Sequence, residues 1–205
     1  MKTTYTIRRD SLRPPVKSKE LAAFTWMLQQ PSGLAILNSF GVAVPDAFEI
    51  THHSNPDDPP DFSALGLGFE VTEFPPNQSA IQAVYLERGG KGMAIPAFQR
   101  TGRNISKIRS EVNNPGSPTN SLVTGGFASV PAEALAYESE FLGLLIGPGS
   151  KDVPGNDVLL LDQRYEHHTD FALLPAIKNA TAKTPPKYIR LIMMVRANES
   201  IQAYP

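Results

Sequence analysis

At 205 residues and 41% hydrophobic content the chain is long enough for one well-buried core, and splitting it would leave two small halves, so a single domain spanning 1–205 is expected. Nineteen lysines and arginines against twenty acidic residues leave a formal charge of −1, which excludes a basic field over the whole molecule and confines any nucleic-acid affinity to a local patch. The lack of cysteine removes disulfides, thiolate zinc sites and cysteine nucleophiles together, so a metal would be held through oxygen or imidazole.

No run of about 18 apolar residues occurs, and the opening MKTTYTIRRDSLRPPVKSKE has charge but no apolar stretch, so a soluble, cytoplasmic protein without export signal or membrane span is expected. Nineteen prolines exceed the usual share of about 5%, yet they fall between periodic segments. That distribution predicts ordered loops in a globular domain rather than a disordered chain.

Residues 1–16 read as an N-terminal arm with a short strand over Thr3 to Arg8, stopped by Pro14-Pro15. From Ser18, SKELAAFTWMLQQ is made of strong helix formers, with Leu21, Phe24, Thr25 and Leu28 at helical spacing and Ser18 as N-cap. Its Phe24 and Trp26 are expected in the core. PSGLAILNSFGV predicts a second short helix ended by Gly41. DAFEITHHS alternates as a strand does, and NPDDPP is a turn. Asp61 to Leu65 and Gly68 to Phe74 then form a hairpin, with Gly66 and Gly68 permitting its turn.

Residues 77–88 have a helical pattern that GGKGM interrupts; between 96 and 126, SKIRSEV has helical character but NNPGSPTNS and TGG are loop signals. Ser129-x-Pro131 opens an Ala/Glu-rich helix near 131–146. DVLLLDQRY is a continuous apolar run, the pattern of a strand covered on both faces. DFALLPAIKNA predicts a short helix and KYIRLIMMVRA a second buried strand. The order, without internal repeats, predicts a mixed α/β sandwich with helices on both sides of a small sheet.

The stretch PDFSALGLGFEVTEF, Pro60 to Phe74, puts Asp61 just before the hairpin and Glu70 inside its returning strand. A carboxylate in a buried strand loses hydration and must be paired, hydrogen-bonded or metal-bound. Residues two apart share a strand face, so Glu70 and Thr72 project together, Val71 and Glu73 project oppositely, and the hairpin brings Asp61 across. Two readings stand on these residues alone: a metal site, or Asp61 capping a turn while Glu70 pairs with Arg100 or Arg103.

PDF at Pro60 to Phe62 followed by EVT at Glu70 to Thr72 resembles the active-site signature of the PD-(D/E)xK phosphodiesterase superfamily, which includes many restriction endonucleases. The resemblance implies a restriction-endonuclease-like mixed sheet sandwiched by helices. It implies a metal-dependent nuclease acting on DNA, with Asp61 and Glu70 as ligands of Mg²⁺ or Mn²⁺. Glu20 is similar to a frequent first-helix glutamate of that superfamily, holding a second ion or a water. Thr72 stands where the superfamily usually has lysine. Either another cation takes over, with Lys91, Arg100, Arg103 and Lys107 as candidates, or catalysis is lost and the fold serves as a binding or assembly module. The resemblance also raises the expectation of a homodimer.

Outside the superfamily, a generic α/β protein binding a small polar ligand is the remaining reading. His52-His53 and His167-His168 are strand-end or loop residues, because adjacent strand residues face opposite ways and cannot share one ion without a bend. LGLLIGPGSKD lacks the spacing of a phosphate loop and follows a helix, and GGKGM is simplest as a loop. No G-x-S-x-G, H-E-x-x-H or C-x-x-C occurs. Tyr137, Tyr165 and Tyr188 are too spread for base stacking. QRTGRNISKIR is expected to be the one local cluster able to meet a phosphate backbone, unless it is simply a solvated helix face.

Overall fold

A computed structural model describes residues 2–53, 59–74, 130–164 and 173–204. Their strands form one mixed sheet of seven in the order β1 to β7. Strands β1 (Lys2–Arg8), β2 (Ala47–His53), β3 (Phe62–Ala64) and β4 (Leu67–Glu73) run as an antiparallel meander. Strands β5 (Val158–Gln163) and β6 (Leu191–Arg196) continue parallel to β4, and β7 (Ser200–Tyr204) returns antiparallel. Helices α1 (Lys19–Gln29) and α2 (Pro31–Ser39) follow β1, α3 (Val130–Ile146) precedes β5, and α4 (Leu173–Lys183) joins β5 to β6.

Local chemistry accounts for most boundaries. Ser18 caps α1, its Oγ accepting the Leu21 N–H at 3.2 Å. Pro31 opens α2, where its missing N–H costs nothing. Gly41, at φ +83°, follows α2 in a conformation that side chains disfavour. The β3–β4 hairpin turns on two residues, Leu65 and Gly66, both at positive φ, the geometry that matches strand twist. Gly68 is not part of that turn; it is a strand residue with a different task, described below.

The centre of the sheet, β5 and β6, is buried on both faces. On one, Phe24 and Leu28 of α1 and Leu37 of α2 pack against Phe62, Phe69, Leu160 and Met193. Phe62 and Phe69 stack at 5.1 Å between centroids, with Phe24 against both. On the other, Phe141 of α3 and Ile177 of α4 pack against Leu159, Leu161, Ile192 and Met194. Strand β5 shows why its sequence is continuously apolar: Val158 and Leu160 serve the first face, Leu159 and Leu161 the second. The architecture is mixed α/β with helices on both sides of the sheet.

Two expectations change, and one strand is added. The short strand expected over Thr3 to Arg8 is present as β1, but it is not part of a free arm, because it pairs with β2 from Lys2↔His53 to Arg8↔Ala47. Trp26 is not in the core: it is 41% exposed, and its Nε1 donates to the carbonyls of Arg196 and Ala197 at 3.2 Å each. An indole kept at the surface satisfies its N–H at no burial cost. Strand β7 was not anticipated, since SIQAY is short and follows β6 after only a few residues. The patterns noted over 77–88 and 96–126 lie outside the described residues.

Candidate functional site

Glu70 lies in the middle of β4, in register with Leu159 of β5, and shares the α3/α4 side of the sheet with it. Its side chain is nearly fully buried, with 4% of the residue exposed. Strand β3 begins at Phe62, opposite Phe69, so Asp61, just before it, stands one step further along the ladder, beside Glu70. Directly opposed residues in such a ladder have Cβ atoms about 5 Å apart. Just before the chain enters the ladder, the Asp61 carboxylate replaces a strand partner: Oδ2 accepts the Val71 N–H at 2.8 Å. The Asp61 carbonyl accepts the His53 N–H at 2.9 Å, tying the residue to β2 as well.

This placement perturbs Asp61. Burial pushes its carboxyl up to about 6, and the neighbouring Glu70 charge adds to the effect. The Val71 N–H bond works against the shift, the charge of Glu20 works with it, and Lys151 works against it. Two acidic groups thus share one partly dry location.

The cation that answers them is Lys151, whose Nζ makes an ion pair with Glu70 Oε1. Asn156, with 1% of its surface exposed, donates from Nδ2 to the Lys151 carbonyl at 2.7 Å and lies 3.5 Å from Glu70 Oε2. The loop over 147–157 is fixed at several points. The Lys151 N–H donates to Leu144 O at 2.7 Å, and Ser150 Oγ donates to Leu145 O at 2.5 Å. The Asp152 carboxylate accepts the N–H groups of Lys187, Tyr188 and Ile189 at 2.6, 2.8 and 3.0 Å. Asp157 exchanges two bonds with Gly68, its Oδ2 accepting the Gly68 N–H and its N–H donating to Gly68 O, both at 2.9 Å.

Of the residues singled out in the sequence, Asp61 and Glu70 come together as expected. Thr72 shares the Glu70 face, in register with Leu161. Glu20 lies in the first turn of α1, where Oε2 accepts the Ser18 hydroxyl at 2.5 Å. Its charge is felt at Asp61, but among the described residues no three histidine or acidic side chains converge as a metal-holding group. His52 and His53 end β2. His167, His168, Lys91, Arg100, Arg103 and Lys107 lie outside the described residues, as does the segment QRTGRNISKIR.

Lys151 and Asn156 were missed. Their only sequence signal was the lysine of LGLLIGPGSKD, set aside because the spacing did not fit a phosphate loop. A second basic run also went unremarked: Arg8, Arg9, Arg13, Lys17 and Lys19 are all exposed. A cleft of about 380 Å³ is lined by Arg9, Asp10, Leu12, Leu28, Gln29 and Leu34, apart from the acidic pair.

Among the described residues, no helix is long and apolar enough to cross a membrane. Compared with known proteins, the chain matches no family model, no curated protein and no solved structure.

Proposed function

We propose that the chain is a divalent-metal-dependent phosphodiesterase of restriction-endonuclease-like fold, with DNA as substrate. The observation that carries the reading is the pairing of Asp61 with Glu70 across the end of the β3–β4 ladder, where burial and mutual repulsion raise the Asp61 carboxyl. Two such carboxylates are stabilised by a shared cation.

The donor set suits Mg²⁺ or Mn²⁺. Both are oxygen-seeking, and Mg²⁺ typically takes one or two protein carboxylates, leaving its other positions to water and substrate phosphate. Asp61 and Glu70 would hold the ion. When bound, it lowers the pKa of a water and offsets negative charge on the phosphoryl oxygens. Thr72, on the Glu70 face, supplies a hydroxyl to orient water or phosphate, and Glu20 contributes negative potential at Asp61. Lys151 brings the positive charge that Thr72 lacks.

The test is thermal unfolding with and without Mn²⁺, together with cleavage of duplex DNA. A bound ion raises the melting temperature as its concentration passes its dissociation constant. Wild type should show that rise and metal-dependent cleavage, and Asp61→Ala and Glu70→Ala should lose both. One observation favours a second reading, a non-catalytic binding or assembly module: Glu70 is already neutralised by Lys151. On that reading Mn²⁺ leaves the melting temperature unchanged, and Glu70→Ala destabilises by stranding a partly buried ammonium.

A further inference from the structure

We infer that Lys151 is a handover cation: it neutralises Glu70 while the two carboxylates hold no metal, and turns to the substrate's phosphate when a divalent ion takes them. This rests on the reading of Asp61 and Glu70 as a metal pair and assigns the substrate-facing charge of that site.

Asp61 and Glu70, both ionised, bring two negative charges, and Lys151 returns one. The pocket is then net negative and repels a phosphodiester. A divalent ion at the carboxylates balances their two charges and frees the Lys151 ammonium to face an anion, with Glu20 as the remaining opposing charge felt at Asp61. The same lysine that competes with metal for Glu70 thereby becomes an attractive charge for an anion.

Geometry supports the exchange. The Lys151 side chain is 33% exposed whereas that of Glu70 is 5% exposed, so the ammonium bridges a dry carboxylate and the open side of the site. A lysine can pivot because its charge sits on a flexible four-carbon stem. Its backbone cannot follow. The Asn156 amide holds the Lys151 carbonyl, the Leu144 carbonyl holds its N–H, and Asp152 ties the next residue to the strand-entry segment at 187–189. Asn156 also lies near Glu70 Oε2, so the carboxylate keeps a polar neighbour when the ammonium leaves. Asn156 is in this sense a positioning residue.

The experiment uses the full chain and three readouts. Mn²⁺ affinity is measured by calorimetry for wild type and Lys151→Gln. Removing the competing ammonium should tighten Mn²⁺ binding by about tenfold, within the usual range of coupling between sites. Affinity for a short duplex DNA is measured with Ca²⁺ in place of Mg²⁺, and Lys151→Gln should weaken it about tenfold and flatten its salt dependence. Lys151→Arg should restore much of the DNA affinity, since the charge is retained. On wild type alone, the ¹⁵N signal of the Lys151 ammonium should change as Mg²⁺ is added, which decides the question even if the glutamine variant fails to fold.

If Lys151→Gln binds Mn²⁺ no more tightly than wild type, or keeps full DNA affinity, the handover is overturned while the metal pair stands. An ammonium signal indifferent to saturating Mg²⁺ has the same consequence. If wild type takes up no Mn²⁺ at all, the metal pair itself is wrong and the handover falls with it.

Discussion

Gly68 of β4 and Gly155 of the following loop approach so closely that a Cβ on Gly68 would stand 1.8 Å from the Gly155 carbonyl oxygen. Gly68 shares its strand face with Glu70 two residues on, so the loop that carries Lys151 and Asn156 lies directly on that face. The close approach needs a residue without a side chain, and the two bonds between Gly68 and Asp157 lock it.

Gly68→Ala is therefore expected to destabilise the fold by about 2–3 kcal/mol, since the obstacle is backbone that cannot rotate away. Urea unfolding measures this. The variant should also lose the Lys151–Glu70 pair, because the loop must lift. A loss below about 0.5 kcal/mol, the range of neutral surface changes, would mean that the loop yields freely.

The Asp61 carboxyl gives a pH dependence with a definite sign. Its folded pKa of about 6 lies above the ordinary 3.8, so the folded state binds the proton more tightly than the unfolded one. Stability without metal should fall as pH rises from about 4 to about 6 and then level off. Because the group is partly solvated, the effect is of order 1–2 kcal/mol rather than the full value of the shift. Asp61→Asn, which can still accept the Val71 N–H, should remove this slope and be more stable than wild type at pH 8 but not at pH 4. Paired denaturation curves at the two values decide it.

Divalent metal should interact with the same titration. Mn²⁺ requires ionised Asp61, so its apparent affinity should fall by up to tenfold per pH unit below about 6 and release a proton on binding. Calorimetry in buffers of different ionisation enthalpy reads that proton directly. A pH-independent affinity between 5 and 7 would remove Asp61 from the ligand set.

Asp152→Ala should cost about 2–4 kcal/mol. Its carboxylate accepts three backbone N–H groups from residues 187–189, and losing the acceptor leaves partly buried donors without partners. Hydrogen exchange at Tyr188 and Ile189 should accelerate in the variant. Unchanged protection there would show that the contact carries little of the loop's order.

Two aromatic residues give opposite expectations. Phe69→Ala should cost about 3–5 kcal/mol, because it opens a cavity among Phe24, Phe62 and α1. Trp26→Ala should cost less than about 2 kcal/mol, because the indole is half in solvent and only its N–H is tied to the 196–197 carbonyls. Equal losses would mean that Trp26 carries packing not visible in its exposure.

Much of the fold was legible because its signals are local. Ser18 caps the helix it precedes, Pro31 opens the next, and Gly66 makes the hairpin turn. The apolar run of β5 announces a strand covered twice. The hairpin also made the meeting of Asp61 and Glu70 legible, since a two-residue turn sets the register of both strands. Trp26 misled because helix-rich composition does not say which flank of the helix an indole occupies.

By itself, then, the sequence determined the four described helices, the buried strands and one acidic pair, whose members stand nine residues apart on either side of a two-residue turn. What the tertiary structure alone decided is the partner of that pair. Lys151 is 81 residues from Glu70, and it arrives there through a crossover, a parallel pairing and a glycine-to-glycine approach. No local pattern encodes such a meeting, because its free energy comes from burying both faces of the sheet, and only the packed sheet brings that loop onto Glu70.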